Sequence, residues 1–478
     1  MQRSRKALLR QWTAALVSSL SVVVLGTALG WPSPVLLRIK ETGKPMTLTS
    51  EEISWMVSLL YVGNLASPLP AGYLMDKIGR KSSMLLLAIF PMSSWVIVYF
   101  ATSAWHLHVA RFLAGTWSGT VSTVVPMYLA EISQPEIRGA LSTLVQLMTN
   151  LGVVAEYLIG PAVSYGTLAI FTGSFPLLFI ILFSMMPESP YWLLSKGKTT
   201  EASLSLAWLR GYPRREAKTL LELEHKDQMM RTIEDMNTNR SFRDLFETPG
   251  NRKGLLIVEV LALVQRMSGI SALMAYTSTT LPQRNIGILT VNDCVLVMGG
   301  IWVLSVFIAT FLVDKLGRKP LLLTSSIGCA LAMFTAGLWF YLDAKTGYDV
   351  SDWYWTPFAC FVIYGIFFCI GLGPIASTVQ GEYFPINIKG LASGVTSLVL
   401  AGTSFVMNKI YHGIHESYGM YLNYWIFSGA SLVGAVFVFF VVIETKGKSF
   451  QEIQDKLNRN AKSKYIQAPV DEVESAPI

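Results

Sequence analysis

Twelve apolar stretches of about 20 residues run along this chain, separated by short polar loops and one long polar interval. They cover 12–32, 53–74, 82–101, 105–130, 139–160, 165–187, 254–281, 293–313, 320–341, 354–381, 390–412 and 420–443. A bilayer core of about 30 Å needs roughly 20 residues of helix. Away from water, only helices and closed barrels satisfy every backbone N–H and C=O. Each stretch is therefore predicted to be a transmembrane helix, span 1 to span 12 in chain order. The polar interval 188–253 splits them six and six. The predicted fold is an all-α membrane protein. An N-terminal six-helix bundle (12–187) and a C-terminal one (254–443) flank a cytosolic helical loop (188–253), between cytosolic tails 1–11 and 444–478.

Composition agrees with this reading. The chain is 52% hydrophobic and 14% charged, against about 25% charge in soluble domains. Arg3, Arg5, Lys6 and Arg10 lead into an apolar run longer than a signal peptide's core of roughly 7–15 residues, so span 1 is expected to be retained. Lys and Arg cluster in tail 1–11, in loops 76–81 and 314–319, in the C-terminal tail, and in the middle loop, which holds twelve. Loops 102–108 and 160–166 hold none. By the positive-inside rule, both termini and the middle loop face the cytosol. The net charge of +7 thus reflects membrane orientation, not a nucleic-acid partner.

Asn239-Arg-Ser fits a glycosylation acceptor but falls on the cytosolic side, where it is expected to go unused. Segments 196–211 and 213–236 are predicted as short amphipathic helices on the membrane surface. The tail beyond Arg459 is polar and acidic, a composition that predicts disorder. Cys294, Cys329, Cys360 and Cys369 all lie in apolar segments without metal-ligand spacing.

The loops carry a second pattern. Asp76-Lys-Ile-Gly79-Arg80-Lys81 returns 238 positions later as Asp314-Lys-Leu-Gly317-Arg318-Lys319. Glu131 precedes Arg138-Gly139 by seven positions, and Glu382 precedes Lys389-Gly390 by seven. Glu188 and Glu444 follow spans 6 and 12. Paired signals at near-constant separation imply two homologous halves, the mark of a secondary transporter. Gly79 permits a tight turn at positive φ, and the carboxylates can pair with basic groups or cap a helix start. Asp76, Arg80, Arg111, Glu131, Arg138, Glu188, Asp314, Arg318, Glu382, Lys389 and Glu444 form the predicted cytosolic gate. It is read as a belt of ion pairs that holds the outward-facing state and breaks when the cytosolic side opens. Membrane anchoring alone explains the basic members but not the acidic ones.

Three more stretches belong with these turns: Arg111-Phe-Leu-Ala-Gly115, Pro126-Met-Tyr128-x-x-Glu131, and Pro187-Glu188-Ser189-Pro190-Tyr191-Trp192-Leu193. Together they resemble the sugar porter family of the major facilitator superfamily, over about residues 12–457. The chain is similar to the insect facilitated trehalose transporters and the animal glucose facilitators. The resemblance implies alternating access around a mid-membrane site, a cytosolic charge lock and a sugar substrate.

It also assigns candidate sugar contacts. Gln146 matches the family's amide in span 5, and Gln265 the first of two glutamines in span 7. Arg266 stands in place of the second, and Ser271 in place of an asparagine. Tyr276 falls at a gating tyrosine. Trp302 replaces an asparagine in span 8, and Ser377 and Thr378 stand where span 10 has lost a tryptophan. Span 11 offers Thr403, Ser404 and Asn408 without a motif match. Amides and hydroxyls suit sugar hydroxyls because they both donate and accept, and Gln146 could instead bond a neighbouring helix. An arginine at the midplane costs at least ~2.5 kcal/mol, so Arg266 either pairs structurally, with Glu259 or Glu156 as partners, or binds ligand. Trp302 either supplies an aromatic face or fills the cavity. Gly371, Gly373 and Pro374 predict a hinge in span 10, whereas Pro68 and Pro70 read as tolerated kinks.

Proton-driven family members carry an acid in span 1. This one has only Thr13, Ser18, Ser19, Ser21 and Thr27, which favours facilitated diffusion, although Glu156 and Glu259 leave coupling open. The leading expectation is a facilitative transporter of a hexose or trehalose. Alternatives are a same-fold transporter of another small polar or anionic solute, or a non-transporting sugar sensor, which the short tails disfavour. No nucleophile–base pair, phosphate loop or metal cluster suggests an enzyme or a cofactor. The expected partners are the sugar and the bilayer. The expected working unit is a monomer in the plasma membrane, or alternatively in an intracellular vesicle.

Overall fold

A computed structural model describes residues 2–217, 242–346, 349–384, 386–448 and 452–458. Apart from one β-bridge, Ile286–Leu289, the regular elements among them are helices. Most of the expected helix 213–236, Asn239 and the tail beyond Arg459 lie outside the described residues. Among the described residues, nine helical runs are long and apolar enough to cross a membrane. Spans 2, 4 and 5 complete the expected twelve. They fold as Ser50–Ala66 with Pro68–Ile78, Ala104–Ile132 and Pro135–Ile159. Charges such as Glu51, Glu52, Asp76 and Lys77 at the ends of span 2, or Arg111 and Glu131 in span 4, lower their hydropathy without preventing the helix.

Several spans are broken, more than the sequence suggests. Span 10 divides at Gly371 into Thr356–Ile370 and Leu372–Tyr383, as expected. Span 2 also divides, at Ser67 before Pro68, because proline removes an N–H and clashes with the preceding turn. Span 1 runs from Gln2–Gly30 into Pro32–Thr42 for the same reason. Span 7, expected as one helix, separates at Ser268-Gly269 into Pro249–Met267 and Ile270–Thr280. Gly269 has φ +100°, a region that side-chain-bearing residues rarely adopt.

The halves meet at their extracellular ends. Tyr157 donates to the Met274 carbonyl at 2.9 Å, and Ser54 to the Lys409 carbonyl at 2.8 Å. The Ser33 and Ser278 hydroxyls lie 2.9 Å apart, and Ser278 also donates to the Ser33 carbonyl. Trp55 packs on Phe405 with ring centres 6.2 Å apart, beneath the Lys409 ammonium. These hydrogen bonds between the halves lie on this side. Such contacts close the extracellular side between the halves.

The middle loop's helix Thr199–Arg210 was expected on the membrane surface. Instead its apolar face, Ala202, Leu206, Ala207 and Leu209, is buried against protein. Arg10 donates to the Trp208 carbonyl at 2.9 Å and lies over its ring, which fastens this helix to the start of span 1.

Candidate functional site

Two regions gather the chemistry: a pair of charged cradles at the cytosolic ends and a polar centre at mid-membrane. Each cradle begins with a glycine. Gly79 adopts φ +107° and Gly317 φ +92°, turning the chain sharply into the helices that start at Arg80 and Arg318. A Cβ on Gly79 would stand 2.3 Å from a Glu188 oxygen, and one on Gly317 2.8 Å from Glu444. The missing side chain lets these carboxylates reach the bare helix start. Glu188 accepts from the backbone N–H groups of Arg80 and Lys81 at 3.0 Å. Glu444 accepts from those of Arg318 at 3.0 Å and Lys319 at 2.9 Å. A carboxylate here satisfies unpaired N–H groups and faces the positive end of the helix dipole. Burial works against the charge of Glu444, but N–H donors from Lys446, Arg318, Lys319 and Thr445 together hold its carboxyl below the usual value.

The arginines complete the cradles. Arg80 meets Glu131 at 2.9 Å and Asp76 at 3.2 Å, with Arg80 and Glu131 both buried. Arg318 meets Glu382 at 2.8 Å. Tyr128 donates to the Pro187 carbonyl, and Tyr383 to that of Ile443, so the duplication extends to the supporting bonds. All of these contacts stay within one half. The belt expected to join the halves appears, among the described residues, as two separate intra-half clusters. The side chains of Arg138, Asp314, Ser377 and Lys389 lie outside the described set.

Arg111 does not belong to the cytosolic gate. It lies twenty positions before Glu131 on the same helix, about 30 Å along the axis. It is buried near the extracellular end, where it donates to the carbonyls of Ala28 and Met56 and lies over the Trp31 ring. The motif gave its residue type but not its depth. Its charged neighbour is Glu156, whose carboxylate accepts from Thr172 at 2.7 Å.

At the centre, the candidate sugar contacts separate by role. Gln146 is half-buried and its amide has no hydrogen bond among the described residues, which leaves it free for a ligand. Gln265 donates to the carbonyls of Leu372 and Gly373 at 2.8 and 2.9 Å; its amide nitrogen braces the break in span 10. Thr378 bonds its own helix at the Pro374 carbonyl. Ser271 is buried 3.4 Å from the Ser404 hydroxyl. Tyr276 is buried and stacked on Tyr411 with ring centres 4.7 Å apart, on the sealed extracellular side. Trp302 is buried against span 10, where a Cβ on Gly365 would come 1.5 Å from its indole nitrogen. Of the two roles expected for Trp302, this packing fits the filler.

Arg266 has neither expected partner. Thr396 donates to Glu259 at 2.7 Å, and Glu156 belongs with Arg111 and Thr172. The guanidinium Nε is enclosed without a hydrogen bond, and no ion pair forms among the described residues. Its electrostatic neighbours are Tyr61 of span 2 and Tyr364 of span 10. Arg266 ends the first helix of span 7, where a cation gains about 0.3–1 kcal/mol from the helix dipole. That is less than the cost of at least ~2.5 kcal/mol for placing an arginine in the membrane. Tyr61 and Tyr364 were not singled out from the sequence, since an aromatic in an apolar span carries no motif. Ser271 and Asn408 of the other half are among the polar groups that act on Tyr61, and the Tyr364 hydroxyl lies 2.9 Å from that of Ser268.

Residues 24–457 match the family model described as sugar (and other) transporter. The chain is 33% identical over 448 residues to the facilitated trehalose transporter Tret1 of Polypedilum vanderplanki, covering 94% of this chain and 88% of that one. It is 32% identical over 450 residues to Tret1 of Drosophila mojavensis, covering 93% of this chain but only 51% of that relative. The chain thus spans about half the length of some relatives it matches. Among solved structures, the xylose transporter XylE from E. coli in an inward open conformation superposes with a TM-score of 0.75. The identity is 20%, with coverage of 93% of this chain and 99% of that one. A partially occluded inward open form of XylE gives 0.73 at 21% identity, covering 92% and 99%.

Proposed function

This chain belongs to the sugar transporter family, and from that premise we propose that it carries a sugar, a hexose or trehalose, down its gradient by alternating access. The relatives named as facilitated trehalose transporters support this class of substrate. The observation that carries the reading is the asymmetry between the two ends. Cross-half hydrogen bonds close the extracellular side, while at the cytosolic side each half keeps its charges to itself. Gln146 keeps an amide without a hydrogen bond among the described residues. The moving units are the bundles 12–187 and 254–443, linked by the loop 188–253 and flanked by the cytosolic tails. One copy in the plasma membrane is the working unit, a transporter rather than an enzyme.

Diffusive rather than proton-driven movement follows from span 1. Its hydroxyls bond their own helix, Ser18 to the Ala15 carbonyl, Ser21 to that of Ser18 and Thr27 to that of Val24, and no acid stands among them. Zero-trans uptake of labelled glucose and trehalose into oocytes, with surface protein quantified, tests the proposal. Saturable uptake that persists when the proton gradient is collapsed is expected. Proton-dependent accumulation would overturn the diffusive reading, and binding without flux would favour a sensor.

A further inference from the structure

The charge of Arg266 is the feature of the centre that a neutral sugar does not use. Sugar hydroxyls both donate and accept, and amides or hydroxyls match them. A guanidinium only donates, through a planar fork that fits a carboxylate or phosphate. Tyr61 of one half and Tyr364 of the other are the electrostatic neighbours of Arg266, and its Nε is enclosed and unbonded. Neither carboxylate expected as its partner bonds it: one oxygen of Glu259 accepts from Thr396 and one of Glu156 from Thr172. Immediately beyond it, span 7 breaks and the eleven-residue helix Ile270–Thr280 begins. The start of that helix adds a positive end, and broken spans of this kind present their half-helix starts to anionic groups of substrates.

We infer that Arg266 binds a negative charge on the transported solute, and that the substrate is an acidic sugar: a polyhydroxylated molecule bearing one carboxylate. This rests on the transporter reading above and narrows its substrate. Gln146 then serves the hydroxyls and Arg266 the carboxylate. One guanidinium balances one carboxylate. A phosphate monoester, at about −1.5 to −2 near neutral pH, would leave charge uncompensated beside a single guanidinium.

Glucuronate is the probe, with glucose as the neutral control. Uptake of each is measured in oocytes expressing wild type, Arg266→Gln or Arg266→Lys, with surface protein quantified. Binding of each to the purified protein is measured by calorimetry. Wild type is expected to prefer glucuronate by about tenfold or more, and Arg266→Gln to erase that preference, as the loss of a charged hydrogen bond implies. Arg266→Lys keeps the charge but loses the fork, so the KM for glucuronate should rise several-fold while some preference remains. Glucose uptake without glucuronate uptake, or a ratio unchanged in both variants, overturns the inference and leaves sugar transport standing. Glucuronate binding that Arg266→Gln abolishes, without flux of either solute, upholds the inference and overturns transport. Surface-expressed wild type that neither binds nor moves glucuronate also overturns the inference.

Discussion

Arg80 and Glu131 meet inside one half of the molecule, the guanidinium donating from Nη2 at 2.9 Å and from Nε at 3.0 Å to the two carboxylate oxygens. The pair is buried, and it is formed while the extracellular side is closed. It fastens span 4 to the turn between spans 2 and 3, so its first role is to hold one bundle rigid as the bundles move. Arg80→Ala leaves a buried carboxylate without its partner, which costs about 3–5 kcal/mol. The melting temperature in detergent should fall sharply, and removing Glu131 as well should restore much of it. A double variant as unstable as the sum of the single ones would contradict the pairing.

The two carboxylate caps should behave alike. Glu188→Gln and Glu444→Gln each keep one acceptor but turn an amide NH2 toward N–H donors, a loss of about 1–2 kcal/mol. For Glu444 the pH dependence has a definite sign. Its carboxyl is held below the usual 4.5 in the folded protein. The cap's contribution is therefore complete above that pH and fades as pH falls through the lower folded value. The gap in melting temperature between wild type and Glu444→Gln should be constant above pH 4.5 and narrow below it. A gap that widens on acidification would refute this account.

Gly79→Ala forces a side chain into positive φ and against Glu188. Strain of this kind costs about 1–3 kcal/mol. Gly317→Ala meets Glu444 at a longer distance and should be the milder change. Thermal melts of both variants test the order, and a milder Gly79 variant would count against the cradle geometry.

Gln146 and Gln265 look equivalent in sequence but should separate in kinetics. Gln146 has a free amide, so Gln146→Ala should raise KM for the transported solute with little effect on melting, by about tenfold for one lost hydrogen bond of ~1.4 kcal/mol. Gln265 braces the break in span 10, so Gln265→Ala should lower kcat and melting temperature together. Uptake kinetics in proteoliposomes separate the two; identical effects would remove the distinction.

The architecture was legible because its signals are periodic. Apolar length marks spans, Lys and Arg mark sides, and the repeated Asp76–Lys81 and Asp314–Lys319 turns mark the two halves. The cradles were half legible. Glu188 and Arg80 stood out as charges, but their capping bonds depend on φ at Gly79, which no spacing encodes. Depth was not legible at all. Arg111 was expected in the same gate as Glu131 and lies at the opposite end of the same helix. Tyr61 carried no signal because its role comes from a contact with the other half. The breaks in spans 2 and 7 were underestimated for a related reason. Proline or glycine permits a break, but packing of the neighbouring helices decides whether the helix yields.

The hydrogen bonds of the extracellular closure join neutral groups, serine and tyrosine hydroxyls on backbone carbonyls and one serine–serine contact, beside aromatic packing and the Lys409 ammonium over Trp55. Each such bond contributes only about 0.5–1.5 kcal/mol net, so the door is held by a few weak latches of similar strength. Among the described residues no ion pair joins the halves there for salt to screen. The rate at which the empty carrier turns back toward the outside should therefore be nearly indifferent to extracellular ionic strength. A cell bathed in fluid of changing composition would keep a steady rate of solute entry.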